Sequence, residues 1–423
     1  MKLKTIKNQL LTIITAVVIA FIPAKLIAKE ARVTVEVWYH SGSGESVKHY
    51  LNQTHPELQI QSTEIAEANY DRQVNQAALA GKLPCLLHFD GPWLYKYAWS
   101  GYLRTLDKYV SAELRQDLLS SILQQGTYKG KLYGLGQFDS GLAILGNKVY
   151  LNKANVRIPT GIEDAWDKEE FLMALKKLQA LDEVKYAIDL KLNYGIDEWL
   201  TYAFSPLLQS FGGDLIDRNT YKQAQGVLNG PAAVAAMTFL QNLFTAGYAL
   251  ANPKSNDDFH LNKITALSWV GHWMWQPAFD ALGDDLVLIP MPKLGDRAVT
   301  GMGSWQWGIT TTCSHPNEAW QILNALLSPA IILEVVQENG AIPARKSAIA
   351  RSKRYAPGGD LNLLVQQLEH IAIPRPATAA YPTITRAFAE AVRQIITGAG
   401  VKTALDQAVE QIDKDIEKNL GYY

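Results

Sequence analysis

Apolar and polar positions between residues 33 and 101 follow two patterns in turn, one with the period of a strand and one with the period of a helix. The first pattern predicts strands at Val33–Trp38, 57–63 and Cys85–Asp90. The second predicts helices over 45–53, 70–81 and Trp93–Gly101, the middle one closed by Gly81. Because strands and helices alternate, the chain is predicted to be an α/β protein with largely parallel sheets.

The same patterns continue through the rest of the chain. The helical pattern is strong in five segments: Lys168–Leu181, Gly230–Ala246, Pro316–Leu327, Thr383–Ile396 and Val401–Lys418. The stretch YKGKLYGL is typical of a hairpin that turns at Lys129-Gly130. A further strand is predicted at 264–270, with a turn at Gly271 and a helix that begins at His272.

The N-terminal segment has the pattern of an export signal. Lys2, Lys4 and Lys7 precede an apolar run of thirteen residues, Leu10–Ile22, which is too short to span a membrane comfortably. We therefore predict a signal peptide over residues 1–28, cleaved before Lys29, with an uncleaved anchor as the alternative. Cleavage would remove four lysines and no acidic residue, which changes the net charge from −1 to about −5.

Composition and charge narrow the function classes. A chain of 423 residues with 48% hydrophobic and 19% charged residues is long enough for two globular domains. The net charge of −1 argues against a nucleic-acid partner, because there is no excess of lysine and arginine to release counterions.

The two cysteines, Cys85 and Cys313, carry little chemistry by their spacing. Neither follows the apolar run closely enough to hold a lipid anchor, so an exported protein without a tether is predicted to lie in the periplasm. No Cys/His spacing resembles a metal site, and none is predicted. We expect two buried free thiols, and a disulfide stays open as the alternative.

Tryptophan is concentrated beside two glycine-containing turns. The stretches SWVGHWMWQPAF and GMGSWQWGITT hold five of the 11 tryptophans: Trp269, Trp273, Trp275, Trp305 and Trp307. A pyranose ring exposes a patch of C–H bonds that packs on an indole, while polar groups around it bind the hydroxyls. A carbohydrate site is therefore one interpretation, and plain hydrophobic core is the alternative for any single tryptophan.

Polar residues at two strand ends are further candidates. The stretch WYHSGSGESVKHYL has Gly42 and Gly44 spaced as in a dinucleotide fingerprint, but Val47 stands where the third glycine belongs. Such a turn leaves the N–H groups at the start of the helix free to meet a polar ligand. Asp90 ends the third strand, where it is predicted to be a ligand-binding carboxylate, the N-cap of the next helix, or both.

Paired carboxylates raise an enzymatic alternative, a secreted glycoside hydrolase. Asp90 with Asp139 or Glu45 would be its acid and base, but their spacing gives no support. No nucleophile elbow, metal motif or Ser/His/Asp arrangement is present in the sequence. We predict a protein that is not an enzyme and has no cofactor.

Several stretches together resemble a known family. They are GTYKGKLYGLGQFDSGLAILGNKVYLNKANV, FSPLLQSFGGDLID, ITALSWVGHWMWQPAF, GMGSWQWGITTTCSHPNEAWQILNALLSP, GAIPARKSA and PRPATAAYPTITRAFAEAVRQIITGAGVKTALDQAV. Their order and spacing over residues 33–420 resemble the family 1 extracellular solute-binding proteins, the sugar-binding components of ABC importers. Within that family the chain resembles the maltose-, trehalose- and glycerol-phosphate-binding proteins.

The resemblance implies two α/β lobes joined by a hinge, with a ligand cleft between them. The implied N-terminal lobe comprises 29–140 plus 306–341, and the C-terminal lobe comprises 141–305 plus 342–423. The chain is expected to cross between the lobes near Phe138–Ala143, Ser304–Gly308 and Gly340–Pro343. Ligand binding is expected to favour a closed form that docks on the permease.

The resemblance also implies the binding positions. Twelve residues are expected to contact the ligand: His40, Ser41, Glu45, Asp90, Trp93, Asp139, Gly271, Trp273, Gly303, Ser304, Trp305 and Arg375. Three others are second choices: Trp199, Tyr202 and Trp269. The expected partners are the transmembrane subunits of an ABC permease with their ATPase, and the protein is expected to be a monomer.

The predicted ligand is a neutral carbohydrate, either a di- or oligosaccharide or a polyol glucoside. The alternative is glycerol 3-phosphate or a glycerophosphodiester. A phosphate ligand needs two or more converging cations, for which the sequence offers Arg375 and, less directly, Lys129 and Arg345.

Overall fold

The computed structural model describes residues 32–195 and 198–423. The predicted signal peptide, residues 1–28, lies outside the described residues. The strands are β1 Val33–His40, β2 Leu58–Ile65, β3 Leu86–Asp90, β4 Thr127–Tyr128, β5 Lys131–Leu132, β6 Phe138–Asp139, β7 Leu142–Asn147, β8 Tyr186–Asp189, β9 Thr265–Gly271, β10 Leu286–Ile289, β11 Thr300–Met302, β12 Trp305–Ile309, β13 Ile342–Pro343 and β14 Ala372–Pro374.

The helices alternate with these strands. They are α1 Glu45–Asn52, α2 Glu67–Leu79, α3 Trp93–Trp99, α4 Ala112–Asp117, α5 Ser120–Gln125, α6 Lys148–Lys153, α7 Lys168–Gln179, α8 Glu198–Ser210, α9 Pro231–Thr245, α10 Trp275–Leu282, α11 Pro316–Leu326, α12 Pro329–Asn339, α13 Lys346–Arg351, α14 Asn362–His370, α15 Tyr381–Ile396 and α16 Val401–Lys418. Short 3-10 turns occupy Leu192–Tyr194, His272–Met274, Gly283–Asp285 and Leu420–Tyr422.

The first sheet has the strand order β12-β3-β1-β2. β1 runs parallel to both β2 and β3, as the alternation of strands and helices predicts. β12 joins from the far end of the chain and pairs antiparallel with β3, which places Trp305 opposite Asp90. The carboxyl end of β3 therefore lies beside the amino end of β12.

The second sheet has the order β10-β7-β9-β8, and here the prediction of a largely parallel sheet is wrong. β7 is antiparallel to both of its neighbours, and the single parallel pair is β8 with β9. Every residue of β7 and of β9 is buried. A continuous apolar run predicts burial on both faces but carries no information about strand direction.

The connections between the two sheets are short. β6, which precedes β7 of the second sheet, pairs antiparallel with β13, so two of the predicted crossings lie side by side. Gly303 and Ser304 link β11 to β12 of the first sheet. The exact lobe boundaries stay a prediction.

Most predicted helices are confirmed to within a turn at each end, and α16 has the predicted bounds. α15 begins two residues earlier than predicted, because Pro382 suits the first turn of a helix. Among the described helices, no single one is long and apolar enough to cross a membrane. α11 and α12 reach the length and hydrophobicity of a membrane span only when they are taken together, as a pair bent by 60°.

The two cysteines form a disulfide, Cys85–Cys313, so the expectation of free thiols is wrong. Cys85 stands directly before β3 and Cys313 shortly after β12. Because these strands are neighbours, the two Cα atoms lie 4.3 Å apart although 228 positions separate them in sequence. The amide of Thr310 also donates to the carbonyl of Cys85 at 3.0 Å, which fixes the same end of the sheet.

We expect the double variant C85S/C313S to lose roughly 3–5 kcal/mol of unfolding free energy, because the disulfide closes a long loop in the unfolded chain. The midpoint of thermal unfolding, followed by circular dichroism, should fall by about 4–6 °C, because the unfolding entropy of a chain of this length is large. A reductant should lower the wild-type midpoint to the same value and leave the double variant unchanged. Equal midpoints for the two proteins without reductant would contradict the prediction.

Candidate functional site

Four aromatic side chains on the second-sheet side form one cluster. This aromatic cluster consists of Tyr194, Trp199, Tyr202 and Trp273. Trp273 lies 5.9 Å from Trp199 and 6.3 Å from Tyr202 between ring centroids, and its indole Nε1 donates to the Tyr194 hydroxyl at 3.0 Å. Trp199 and Tyr202 are buried, whereas Trp273 and Tyr194 stay partly exposed. The buried rings of Trp199 and Tyr202 therefore pack against and fix the partly exposed ring of Trp273.

Gly271 makes room for this cluster. It is the last residue of β9, and a Cβ atom there would overlap the six-membered ring of Trp273. Trp273 follows in the 3-10 turn His272–Met274, as expected for a first helical turn, while Trp275 packs in the core beside Phe279. The indole of Trp273 can lie over the end of β9 because the residue beneath it is glycine.

A second aromatic surface comes from the first sheet. The indole of Trp305 stacks on the imidazole of His40 with 3.5 Å between centroids and an angle of 4° between the rings. Trp307, two residues on, lies on the same face and stacks on His88 at 4.1 Å. Trp305 is partly exposed and His40 is buried behind it, so His40 supports the indole from the protein side.

The two buried histidines, His40 and His88, contact each other and Ser43. Their Nδ1 atoms lie 3.1 Å apart, and the Ser43 hydroxyl lies 2.9 Å from that of His40 and 3.1 Å from that of His88. Burial lowers the pKa of His40 to about 3 and the pKa of His88 well below its ordinary value. Both imidazoles are therefore neutral over the physiological range.

Arg375 forms ion pairs with one acidic residue of the first sheet and with one of helix α8. It donates to both carboxylate oxygens of Asp90 at 2.8 and 3.0 Å, and to Glu198 at 2.5 Å. Asp90 ends β3 of the first sheet, whereas Glu198 begins α8 and Arg375 follows β14. The guanidinium carbon also lies 5.0 Å from the Tyr202 ring centroid. Because its carboxylate is committed to Arg375, Asp90 does not cap α3, and that interpretation is wrong.

Glu198 is fixed by α15 as well as by Arg375. One oxygen accepts from the Tyr381 hydroxyl, and the other accepts from Thr385 Oγ1 at 2.7 Å. Burial raises the pKa of Glu198, the Asp90 carboxylate raises it further, and Arg375 opposes the rise. The sequence prediction missed Glu198 because its partners lie 177 to 187 positions away and no local motif marks it.

Asp139 lies beneath the site. Its carboxylate is fully buried and accepts from Gln125 Nε2 at 3.0 Å and from the Ser140 amide at 2.8 Å. Burial raises its pKa, while these hydrogen bonds lower it. Gly303 has a φ of 136°. A Cβ atom there would lie 2.7 Å from Nη2 of Arg375. Ser304 continues the turn, and its carbonyl accepts from the Gly91 amide at 2.9 Å.

The structure does not bring every predicted residue into this group. Glu45 is exposed and lies 3.8 Å from Lys48, and Ser41 is exposed on the same turn. Trp93 is partly buried beside Tyr97. Trp269 lies in the core, where burial closes it off from the cleft.

The amino end of α1 is not free for a ligand, contrary to the sequence prediction. The Glu338 carboxylate accepts from the Ser46 amide at 3.0 and 3.3 Å. A Cβ at Gly44 would lie 2.6 Å from that carboxylate, so the glycine turn accommodates Glu338. A carboxylate at a helix N-terminus is well placed relative to the helix dipole.

The other predicted cations point elsewhere. Arg345 pairs with Asp117 at 2.6 Å and donates to the Leu327 carbonyl. Lys129 lies at the hairpin tip, 5.4 Å from the Tyr128 ring centroid. Within residues 32–195 and 198–423, no group of three histidine, cysteine or acidic side chains could hold a metal ion.

Comparison with known proteins gives a consistent result. The sequence profile of the family described as "Bacterial extracellular solute-binding protein" matches residues 46–358. An uncharacterised lipoprotein from the oleD 5′ region of Streptomyces antibioticus is 21% identical over 329 residues. That match covers 70% of this chain and 66% of the lipoprotein, a little under two thirds of its length.

Solved structures confirm the predicted two-lobed α/β fold class. An ABC transporter solute-binding protein from Thermotoga lettingae, bound to α-D-tagatose, is 20% identical with a TM-score of 0.76. Maltose-bound MalE3 of T. maritima is also 20% identical, with a TM-score of 0.77. Each comparison covers 90% of this chain and 99% of the other.

The buried histidines should make the fold sensitive to acid. Because the pKa of His40 is lowered in the folded protein, the unfolded chain binds more protons between pH 6.5 and about 3, and stability falls as pH falls through that window. At pH 5 the loss from one such imidazole is about 2 kcal/mol. His40→Phe, which keeps a flat ring under Trp305, should lose that much less stability between pH 7 and 5 in urea unfolding.

The matched control is His49→Phe, which removes an exposed histidine from α1. It should follow the pH dependence of the wild type. A His40→Phe curve parallel to the wild-type curve would show that His40 titrates normally and that its burial is not as described.

Proposed function

Because this chain belongs to the bacterial extracellular solute-binding proteins, we propose that it captures a neutral carbohydrate in an interlobe cleft. The observation that carries the proposal is the pairing of two rigid aromatic surfaces around one charged group. Trp305 lies on the first-sheet side, Trp273 with Tyr194 lies on the second-sheet side, and Arg375 joins the two. Indole faces suit the C–H patches of a sugar ring, and the charged and hydroxyl groups suit its hydroxyls.

The similar solved structures support this class of ligand. The two Thermotoga proteins hold α-D-tagatose and maltose. We propose a di- or oligosaccharide or a polyol glucoside for this chain, since Trp305 on one side and Trp273 with Tyr194 on the other are partly exposed and offer more than one aromatic contact.

Glycerol 3-phosphate or a glycerophosphodiester is the weaker alternative. A phosphate needs converging cations with free donors. Arg375 already serves two carboxylates, while Arg345 is paired with Asp117 and Lys129 lies at the hairpin tip. The charge around Arg375 therefore favours a neutral ligand.

We propose binding without a chemical step, followed by delivery to an ABC permease. Asp90, the carboxylate that a glycosidase mechanism would use, is held by two hydrogen bonds from Arg375. Because Asp90 and Arg375 belong to different sides of the cleft, ligand-linked closure would bring them together. In this proposal the mature protein acts as a monomer in the periplasm after export.

The test uses the chain from Lys29, unfolded and refolded to remove any bound solute. Thermal midpoint and tryptophan fluorescence are recorded against mono-, di- and trisaccharides, polyol glucosides and glycerol 3-phosphate. We expect one neutral compound to raise the midpoint by several degrees, because a ligand that binds only the folded state stabilises it. Trp273→Ala and Trp305→Ala should each weaken its binding about tenfold or more.

Trp320→Ala is the matched control. Trp320 stacks on Tyr109 with 5.6 Å between centroids, outside the two aromatic surfaces, so its loss should leave affinity unchanged. A response to glycerol 3-phosphate alone would replace the proposal with its alternative. A panel without any response would overturn it.

A further inference from the structure

The group around Arg375 carries more negative than positive charge. Its guanidinium pairs with two carboxylates, those of Asp90 and Glu198. The side chain of Arg375 is only 6% exposed, so water screens these charges weakly. The nearby Arg218 adds nothing, because it pairs with Asp214 and donates to the Pro374 carbonyl. One guanidinium and two carboxylates carry a net charge of −1.

We propose that Glu198 is the specificity-determining residue that makes this cleft reject anionic solutes. The proposal rests on the proposed function for the location of the ligand and adds the physical basis of its charge selectivity. Glu198 acts in two ways: it supplies the excess negative charge, and it accepts from Nη1 of Arg375, a donor that a phosphate or carboxylate of a ligand would need.

The surroundings of Glu198 indicate an ionised and immobile carboxylate. Three donors point at its two oxygens, from Arg375, Tyr381 and Thr385. Arg375 can only donate, so the oxygen of Glu198 that it contacts acts as an acceptor, and the ion pair favours the ionised carboxylate. Thr385 Oγ1 also lies 2.9 Å from Thr201 Oγ1, which ties α15 to α8 behind the carboxylate. Glu198 therefore cannot swing away to admit a competing anion.

The donors of Arg375 show what remains for a ligand. Nη1 donates to both carboxylates and Nη2 donates to Asp90, so the bidentate edge is in use. Nε is buried and has no hydrogen-bond partner. The bidentate geometry that an oxyanion prefers is therefore already taken, and the buried Nε offers no accessible donor in its place.

The test compares Glu198→Gln with the wild type, using glycerol 3-phosphate and α-D-glucose 1-phosphate as anionic probes in calorimetric titration. Glutamine keeps the shape and removes the charge. We expect no detectable binding of either anion to the wild type. We expect Glu198→Gln to bind at least one of them with an affinity about tenfold or more above the detection limit. A purely structural role for Glu198 would weaken all ligands together and would not produce a gain for anions.

Glu390→Gln is the matched control, since it also removes one negative charge but lies in an exposed pair with Arg393 on the outer face of α15. It should bind anions as the wild type does. Should Glu198→Gln fail to fold, Asp90→Asn removes the other carboxylate and is expected to give the same gain.

Three outcomes overturn the proposal: a wild type that binds the anions as tightly as Glu198→Gln, a gain shared by Glu390→Gln, and no gain in either cleft variant. The sugar panel on the wild type is scored separately. A wild type that binds a neutral sugar while the variants gain nothing refutes the role of Glu198 and leaves the proposed function intact.

Discussion

The ion pair between Asp90 and Arg375 is the interaction on which the rest of the site depends. Burying a guanidinium is costly unless it is paired and hydrogen-bonded, and here the partner comes from the other side of the cleft. The close approach constrains the neighbours. Gly303 must lack a side chain because Arg375 lies against it, and Glu198 must be held by hydroxyl groups so that its charge stays beside the guanidinium.

The aromatic surfaces obey a similar constraint. Trp273 lies flat only because Gly271 is beneath it, and Trp305 lies flat because a neutral imidazole stacks behind it. A protonated His40 would place a buried charge under the indole, so the depressed pKa of His40 also keeps this surface intact. Each indole is thus oriented by the residue behind it, and in the proposed function its outer face contacts the ligand.

Short-range patterns predicted the strands, the helices and the turns that carry Trp273 and Trp305, because those features depend on spacing within one element. Contacts between distant elements could not be predicted in this way. Asp90 and Arg375 are 285 positions apart, and the two cysteines meet only because β12 returns to pair with β3. Sequence patterns also could not predict the direction of β7, the contact of Glu338 with α1 or the contacts of Glu198. Each of these depends on how distant elements are arranged in the fold.

The three paired charges, Asp90, Glu198 and Arg375, are distributed unequally between the two sides of the proposed cleft. Arg375 and Glu198 are tied together through α8 and α15 on the second-sheet side, whereas Asp90 belongs to the first sheet. Any separation of the two sides must therefore break the bonds to Asp90 before those to Glu198. The part of Arg375 that faced Asp90 is exposed by that movement, while Glu198 stays paired with the guanidinium. Of the two carboxylates, Asp90 alone therefore links the two sides, whereas both contribute to the negative charge of the joined state.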